Sequence, residues 1–145
     1  MSRLLLLFGL SCMLFGCEQP QVQETPMPQV PDFTPFSEDI ITNIHGEINH
    51  VERFYAFVNN VHNEKSDNVR IITYTVEGAP IKHDLIFKQN ILTSIYDTTE
   101  DGYGIQEVTV MTCETIDHTE ANTRIDYVLD GCSEEESIPF FTIWK

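Results

Sequence analysis

The sequence predicts an α+β domain over residues 37–145, with one N-terminal amphipathic helix packed on an antiparallel meander sheet of five to six strands. Three observations predict it. Apolar residues recur at helical spacing in a single stretch near residues 51–61. From Val69 onward the apolar period changes to two. The polar breaks between those later runs are mostly short and hold Gly, Pro or Asn.

Taken in order, residues 39–44 form a short apolar piece broken by His45-Gly46. The helix follows. Asn49 is the expected N-cap, and Glu52 three residues on completes a capping-box-like pair. Val51, Phe54, Tyr55, Val58 and Val61 make one face, with Arg53, Asn59 and His62 largely off it. Residues 69–77 are β-branched and aromatic and read as a strand. Gly78-Ala79-Pro80 turns the chain, and Ile81, Leu85 and Phe87 alternate with Lys82, Asp84 and Lys88 in the next strand. Gln89-Asn90 is a tight turn into a strand over 91–96, and 97–104 is a longer loop. One strand is expected over 105–116, a turn over 117–122, and a strand in which Ile125, Tyr127 and Leu129 alternate. An acidic loop over 131–137 leads to a last, edge-like strand over 139–144.

Ahead of this domain, residues 1–16 have the order of a bacterial lipoprotein signal. Arg3 gives a positive start, Leu4 to Leu10 an apolar core, and Leu14-Phe15-Gly16 precedes Cys17. The apolar run is too short for a transmembrane helix of about 20 residues. Ordinary secretion, or an uncleaved anchor, is the rival reading; Leu14 at the −3 position argues against the first. Phe15 is bulkier than the residue usual there. In the lipoprotein reading the mature chain starts at Cys17, which is acylated and holds the protein to the lipid bilayer. Residues 17–36 then form a tether: Pro20, Pro26, Pro28, Pro31 and Pro35 among Gln, Thr and Val favour extended conformations and pack no core.

The full chain has 23 acidic against 8 basic residues, a formal −15. Losing Arg3 with the signal leaves 7 basic residues and a formal −16 in the mature chain. Such a surface repels nucleic acid and anionic lipid heads, so no nucleic-acid partner is expected. Of four cysteines, Cys12 leaves with the signal and Cys17 takes lipid. Cys113 and Cys132 remain, and outside the membrane an even pair reads as a disulfide. Two free thiols or half a metal site are the other readings of that pair.

Among candidate sites, the loop 97–104 looks most chemical. Asp97, Glu100 and Asp101 with two threonine hydroxyls are the hard oxygens calcium prefers, so these three carboxylates are the candidate metal ligands. The spacing is not that of an EF-hand, and a turn rich in acids and glycines explains the same residues. Glu134, Glu135 and Glu136, with Asp130 before them, read as a solvated acidic loop. The histidines His45, His50, His62, His83 and His118 show no zinc-protease spacing. Ser37, Ser66, Ser94, Ser133 and Ser137 lie in no Gly-x-Ser-x-Gly setting. No catalytic residue is assigned, no cofactor is expected, and an enzyme is disfavoured.

Several stretches together carry a resemblance. They are residues 40–46 (IITNIHG), 57–61 (FVNNV), 69–78 (VRIITYTVEG), Pro80-Ile81, Asp84-Leu85, Asp97-Thr98-Thr99 and 127–132 (YVLDGC). As a set they resemble a family of small lipoproteins from bacilli and relatives whose shared domain is of unknown function. The resemblance runs from about Asp39 to Cys132 and includes both cysteines. Where that family commonly has a basic residue after Asp-Thr-Thr, this chain has Glu100. The resemblance implies a Gram-positive, membrane-tethered domain on the extracytoplasmic face, and implies no activity. The expectation is a non-enzymatic lipid-anchored module that binds an envelope protein. The alternative is a lipoprotein that binds a small ligand, or calcium through the 97–104 loop.

Overall fold

The structure, a computed structural model, describes residues 39–133 and 136–145. The signal, Cys17, the tether, and Glu134 and Glu135 of the acidic run lie outside the described residues. The strands are β1 (Ile40–Ile44), β2 (Glu47–Asn49), β3 (Asp67–Tyr74), β4 (Pro80–Lys88), β5 (Ile91–Asp97), β6 (Val108–Cys113), β7 (Thr115–Glu120), β8 (Arg124–Asp130) and β9 (Ser137–Trp144). One helix, α1 (Val51–His62), sits between β2 and β3.

The expected α+β plan of one helix on a single meander is overturned. The described chain is predominantly β, in two sheets, a six-stranded one ordered β2-β1-β3-β4-β5-β6 and a three-stranded one ordered β7-β8-β9. Two local events produce this. First, β1 pairs parallel with β3, Ile41 opposite Ile71, so α1 is a crossover between parallel strands. Second, the expected single strand over 105–116 is two strands. Cys113 pairs with Leu92 in the large sheet, while Thr115 pairs with Asp130 in the small one. The chain changes sheets at Glu114, whose N–H donates to the Asp130 carbonyl. The polar run Asp117-His118-Thr119-Glu120, expected as a turn, completes β7 with most of its side chains exposed. A sheet edge open to water tolerates such a strand.

The hairpins follow turn chemistry. His45 (φ 53°) and Gly46 (φ 97°) join β1 to β2, and Gln89 (φ 54°) and Asn90 (φ 59°) join β4 to β5. Positive φ at both central positions matches the right-handed twist of the flanking strands.

The helix differs from expectation at its start and in its rotation. Its N-cap is His50, left-handed at φ 61° and without a side-chain capping bond. Asn49 cannot serve, because it ends β2 opposite Thr42 and its amide donates to the Thr42 hydroxyl at 3.3 Å. The buried residues are Phe54, Phe57 and Val61, whereas Tyr55 is 41% exposed. Phe54 lies edge-on to Tyr127 of β8 and Phe141 of β9, both 4.8 Å between ring centres. The helix thus packs between the two sheets rather than across one. Arg53 fastens its open side. Nη1 and Nη2 donate to the Asp67 carboxylate at 3.1 and 2.5 Å, and Nε donates to Asp39 at 2.8 Å. At the other end His62 Nε2–H donates to the Ile116 carbonyl of β7 at 2.7 Å.

Candidate functional site

The strand register lays two rows of side chains across the inner face of the large sheet. One row is Val69, Leu85, Ser94 and Met111, and the next is Ile41, Ile71, His83, Tyr96 and Thr109. The second row is apolar and buried on β1 and β3 and turns polar from β4 outward. Where it turns polar the sheets part. A cleft of about 340 Å³ has His83, Ser94, Tyr96, Thr109 and Met111 on its floor and Leu129, Ile138, Pro139 and Phe140 above them. A second lobe of about 210 Å³ continues toward β1, between Asn43, Ile71, Thr73 and Ile81 below and Phe141 and Thr142 above. His83, Tyr96 and Phe140 line both lobes and form the waist between them. The larger lobe alone falls within the range usual for small-molecule sites, about 300–1,000 Å³.

The waist is held by a buried polar pair. His83 Nε2 and the Ser94 hydroxyl share a hydrogen bond of 2.7 Å, and Ser94 is 1% exposed. The His83 ring meets Tyr96 and Phe140 edge-on at 5.3 and 5.5 Å. Burial disfavours the charged imidazole and lowers its pKa to about 4. His83 is therefore neutral at pH 7. Its second ring nitrogen has no hydrogen-bond partner among the described residues.

A serine and histidine at this distance have the spacing of a nucleophile and its base. The surroundings do not extend that resemblance. Among the described residues no carboxylate holds the other ring nitrogen of His83, and Asp84 points to the outer face, where Arg70 Nε and Nη2 donate to it at 2.5 and 2.7 Å. Ser94 lies in mid-strand between β4 and β6, so its neighbours' N–H groups serve the ladder rather than an oxyanion. The arrangement can bind an uncharged polar group between aromatic edges.

The unfolded imidazole titrates near 6.5 and the folded one near 4. Above pH 6.5 both states are neutral and His83 contributes no pH dependence. As pH falls from 6.5 to 4 the unfolded chain takes the proton and the native state does not, so stability is lost across that window, about 3 kcal/mol in total. Denaturant midpoints measured from pH 7.5 to 4.5 are expected to fall less steeply in His83→Gln than in the wild type. Equal slopes would remove His83 as the cause.

The residues expected to hold calcium are not brought together. Asp97 Oδ1 accepts from the Thr99 N–H at 2.9 Å and from its hydroxyl at 2.6 Å. Burial opposes ionisation of Asp97, but these bonds with Lys82 and Arg70 nearby bring its pKa below the usual value. Glu100 accepts from Lys82 Nζ, and Asp101 Oδ1 from the Tyr103 N–H at 3.1 Å. Among the described residues no three His, Cys, Asp or Glu side chains group as a metal site. Millimolar calcium is expected to leave the melting temperature unchanged, whereas a site filled at 100 times its Kd would add about 2.7 kcal/mol. Cys113 and Cys132 are bonded to each other, S–S 2.08 Å. Among the described residues no helix is long and apolar enough to cross a membrane.

Spacing motifs miss His83 and Ser94 because none applies to them. Their signal is positional. His83 shares the inward parity of Ile81, Leu85 and Phe87, and Ser94 that of Leu92. A polar residue on the buried parity of a strand needs a partner. Here each supplies the other's.

Residues 37–128 match a family model described as Domain of unknown function (DUF4362), and the chain belongs to that family. The match reaches into β8 and ends before β9, the strand that covers the cleft. No curated protein and no solved structure matches the chain.

Proposed function

We propose that this DUF4362 protein is a lipid-anchored, extracytoplasmic, non-enzymatic binding module that holds a small ligand in the cleft between its two sheets. The anchor is Cys17, supported by the signal order of residues 1–16 and by the resemblance to small lipoproteins of bacilli. The observation that carries the binding reading is the cleft itself: largely apolar, with a few polar groups converging at His83, Ser94 and Tyr96. Two measurements test the two halves. Mass spectrometry of the N-terminal peptide of the membrane-bound protein is expected to show a chain starting at an acylated Cys17; an unmodified Cys17 or an uncleaved signal would reject the anchor. Small molecules that co-purify with the native full chain are compared by mass spectrometry with those of Thr109→Trp, which fills the larger lobe. A compound present in the first and lost in the second supports the cleft, and identical sets reject it.

An envelope-protein partner is a second reading, favoured by β6. It is an edge strand of the large sheet, with Val108 44% exposed and Ile105 beside it 76% exposed. An edge of this kind accepts an added strand. Crosslinking on living cells separates the readings, because one dominant partner attached through β6 would favour the protein.

A further inference from the structure

The two lobes differ in chemistry, and the difference selects a ligand class; the inference rests on the cleft being the binding site. Met111, Leu129, Ile138 and Phe140 make the larger lobe apolar. The smaller lobe contains Asn43 and Thr73. The Thr73 hydroxyl has no hydrogen-bond partner among the described residues, and the Asn43 amide is engaged only through Oδ1, which accepts from the Gly46 N–H at 2.9 Å. Their remaining donors and acceptors are free for a ligand. Among the described residues no Asp, Glu, Lys or Arg lines either lobe. On the outer face of this sheet Arg70 pairs with Asp84 and Lys82 with Glu100.

Each wall excludes something. A charged ligand enclosed here would lose hydration and lie without a counter-ion. A wholly apolar ligand would cover the Asn43 amide and Thr73 hydroxyl and leave them unpaired. A molecule with one apolar end and one uncharged hydrogen-bonding end meets both conditions. His83 and Tyr96 at the waist then contact its middle.

We propose that the cleft takes an uncharged amphipathic small molecule, its apolar end in the larger lobe beneath Ile138 and Phe140 and its hydrogen-bonding head at Asn43 and Thr73. Met111, in the wall of the larger lobe, is the one methionine among the described residues and reports on that lobe. The full chain, labelled with ¹³C-methyl methionine and held in lipid nanodiscs, is titrated with hexyl β-glucoside, hexyl sulfate and hexyltrimethylammonium below their micelle concentrations. The three share a tail and differ in the head. Met111→Leu assigns the signal.

The glucoside is expected to shift the Met111 methyl saturably, with hexyl protons close to it, and the two ions to bind at least about tenfold more weakly. Thr109→Trp is expected to abolish the shift; Val110→Trp, on the other face of β6, is expected to keep it. Ions that bind as well as the glucoside would overturn the uncharged class and leave the cleft as a site. Sugar protons in place of hexyl protons at Met111 would overturn the orientation. No shift with any probe, or one that Thr109→Trp leaves intact, would overturn the cleft itself.

Discussion

Phe54→Ala is expected to cost about 3–5 kcal/mol, the range for emptying a buried aromatic site. Phe54 is fully buried and touches both halves of the core, through Tyr127 on β8 and Phe141 on β9. Edge-on aromatic pairs add about 0.5–1.5 kcal/mol each beyond the area they bury. Three elements meet at this ring, so the space it leaves cannot close by moving one of them. A domain of this size has roughly 5–15 kcal/mol in total, so the variant is expected to be marginal or unfolded at 37 °C. Tyr55→Ala is the matched comparison, because Tyr55 adjoins Phe54 and belongs to the face expected from periodicity, yet is 41% exposed. It is expected to cost under about 1 kcal/mol. Denaturant midpoints of the two variants decide the rotation of α1. Equal losses would mean that Tyr55, as the periodicity suggests, is also a core residue.

Removing the Cys113–Cys132 bond is expected to cost about 3 kcal/mol. The bond closes a loop of sequence separation 19, and the chain-entropy model gives roughly that figure for such a loop. Its position makes the loss local as well. Cys113 ends β6 in the large sheet, and Cys132 follows β8 in the small one. The neighbouring bonds from Glu114 N–H to Asp130 O and from Ser133 N–H to Thr112 O belong to the same corner. The double variant Cys113→Ser/Cys132→Ser is expected to unfold at lower denaturant, with a slope at least as steep because the unlinked unfolded chain exposes more surface. Amide exchange is expected to rise first around Glu114 and Ser133. An unchanged midpoint would show that the corner is held by packing and backbone bonds alone.

These two variants probe what the sequence conceals. Most strands were legible because alternation and turn residues are local: the turn at Gln89-Asn90 and the alternation of Ile125, Tyr127 and Leu129 read directly from the chain, whereas His45-Gly46 read only as a break and the short strand β2 after it did not show. The corner at Glu114 was not legible. Residues 105–116 read as one β-rich run whose apolar residues (Ile105, Val108, Val110, Met111, Cys113, Ile116) change parity more than once, and that pattern does not say that Cys113 and Thr115 join different sheets. Partner choice is a long-range property, whereas periodicity reports only which residues share a face. The parallel pairing of β1 with β3 escaped for the same reason, and with it the site. His83 and Ser94 come from adjacent strands and become a pair only through the register that sets Ser94 opposite Leu85 and Tyr96 opposite His83.

By itself the sequence determined the local matters: one helix, the tight turns, the parity of most strands and the acidic surface. Each rests on contacts between near neighbours or on summed composition, so each survives without knowledge of the fold. The tertiary structure decided the division into two sheets, the rotation that buries Phe57 and exposes Tyr55, the dispersal of Asp97, Glu100 and Asp101 among separate partners, and the cleft at His83. Those depend on which distant strands pair and on where the two sheets part, and such terms appear only when residues far apart in the chain compete for the same core.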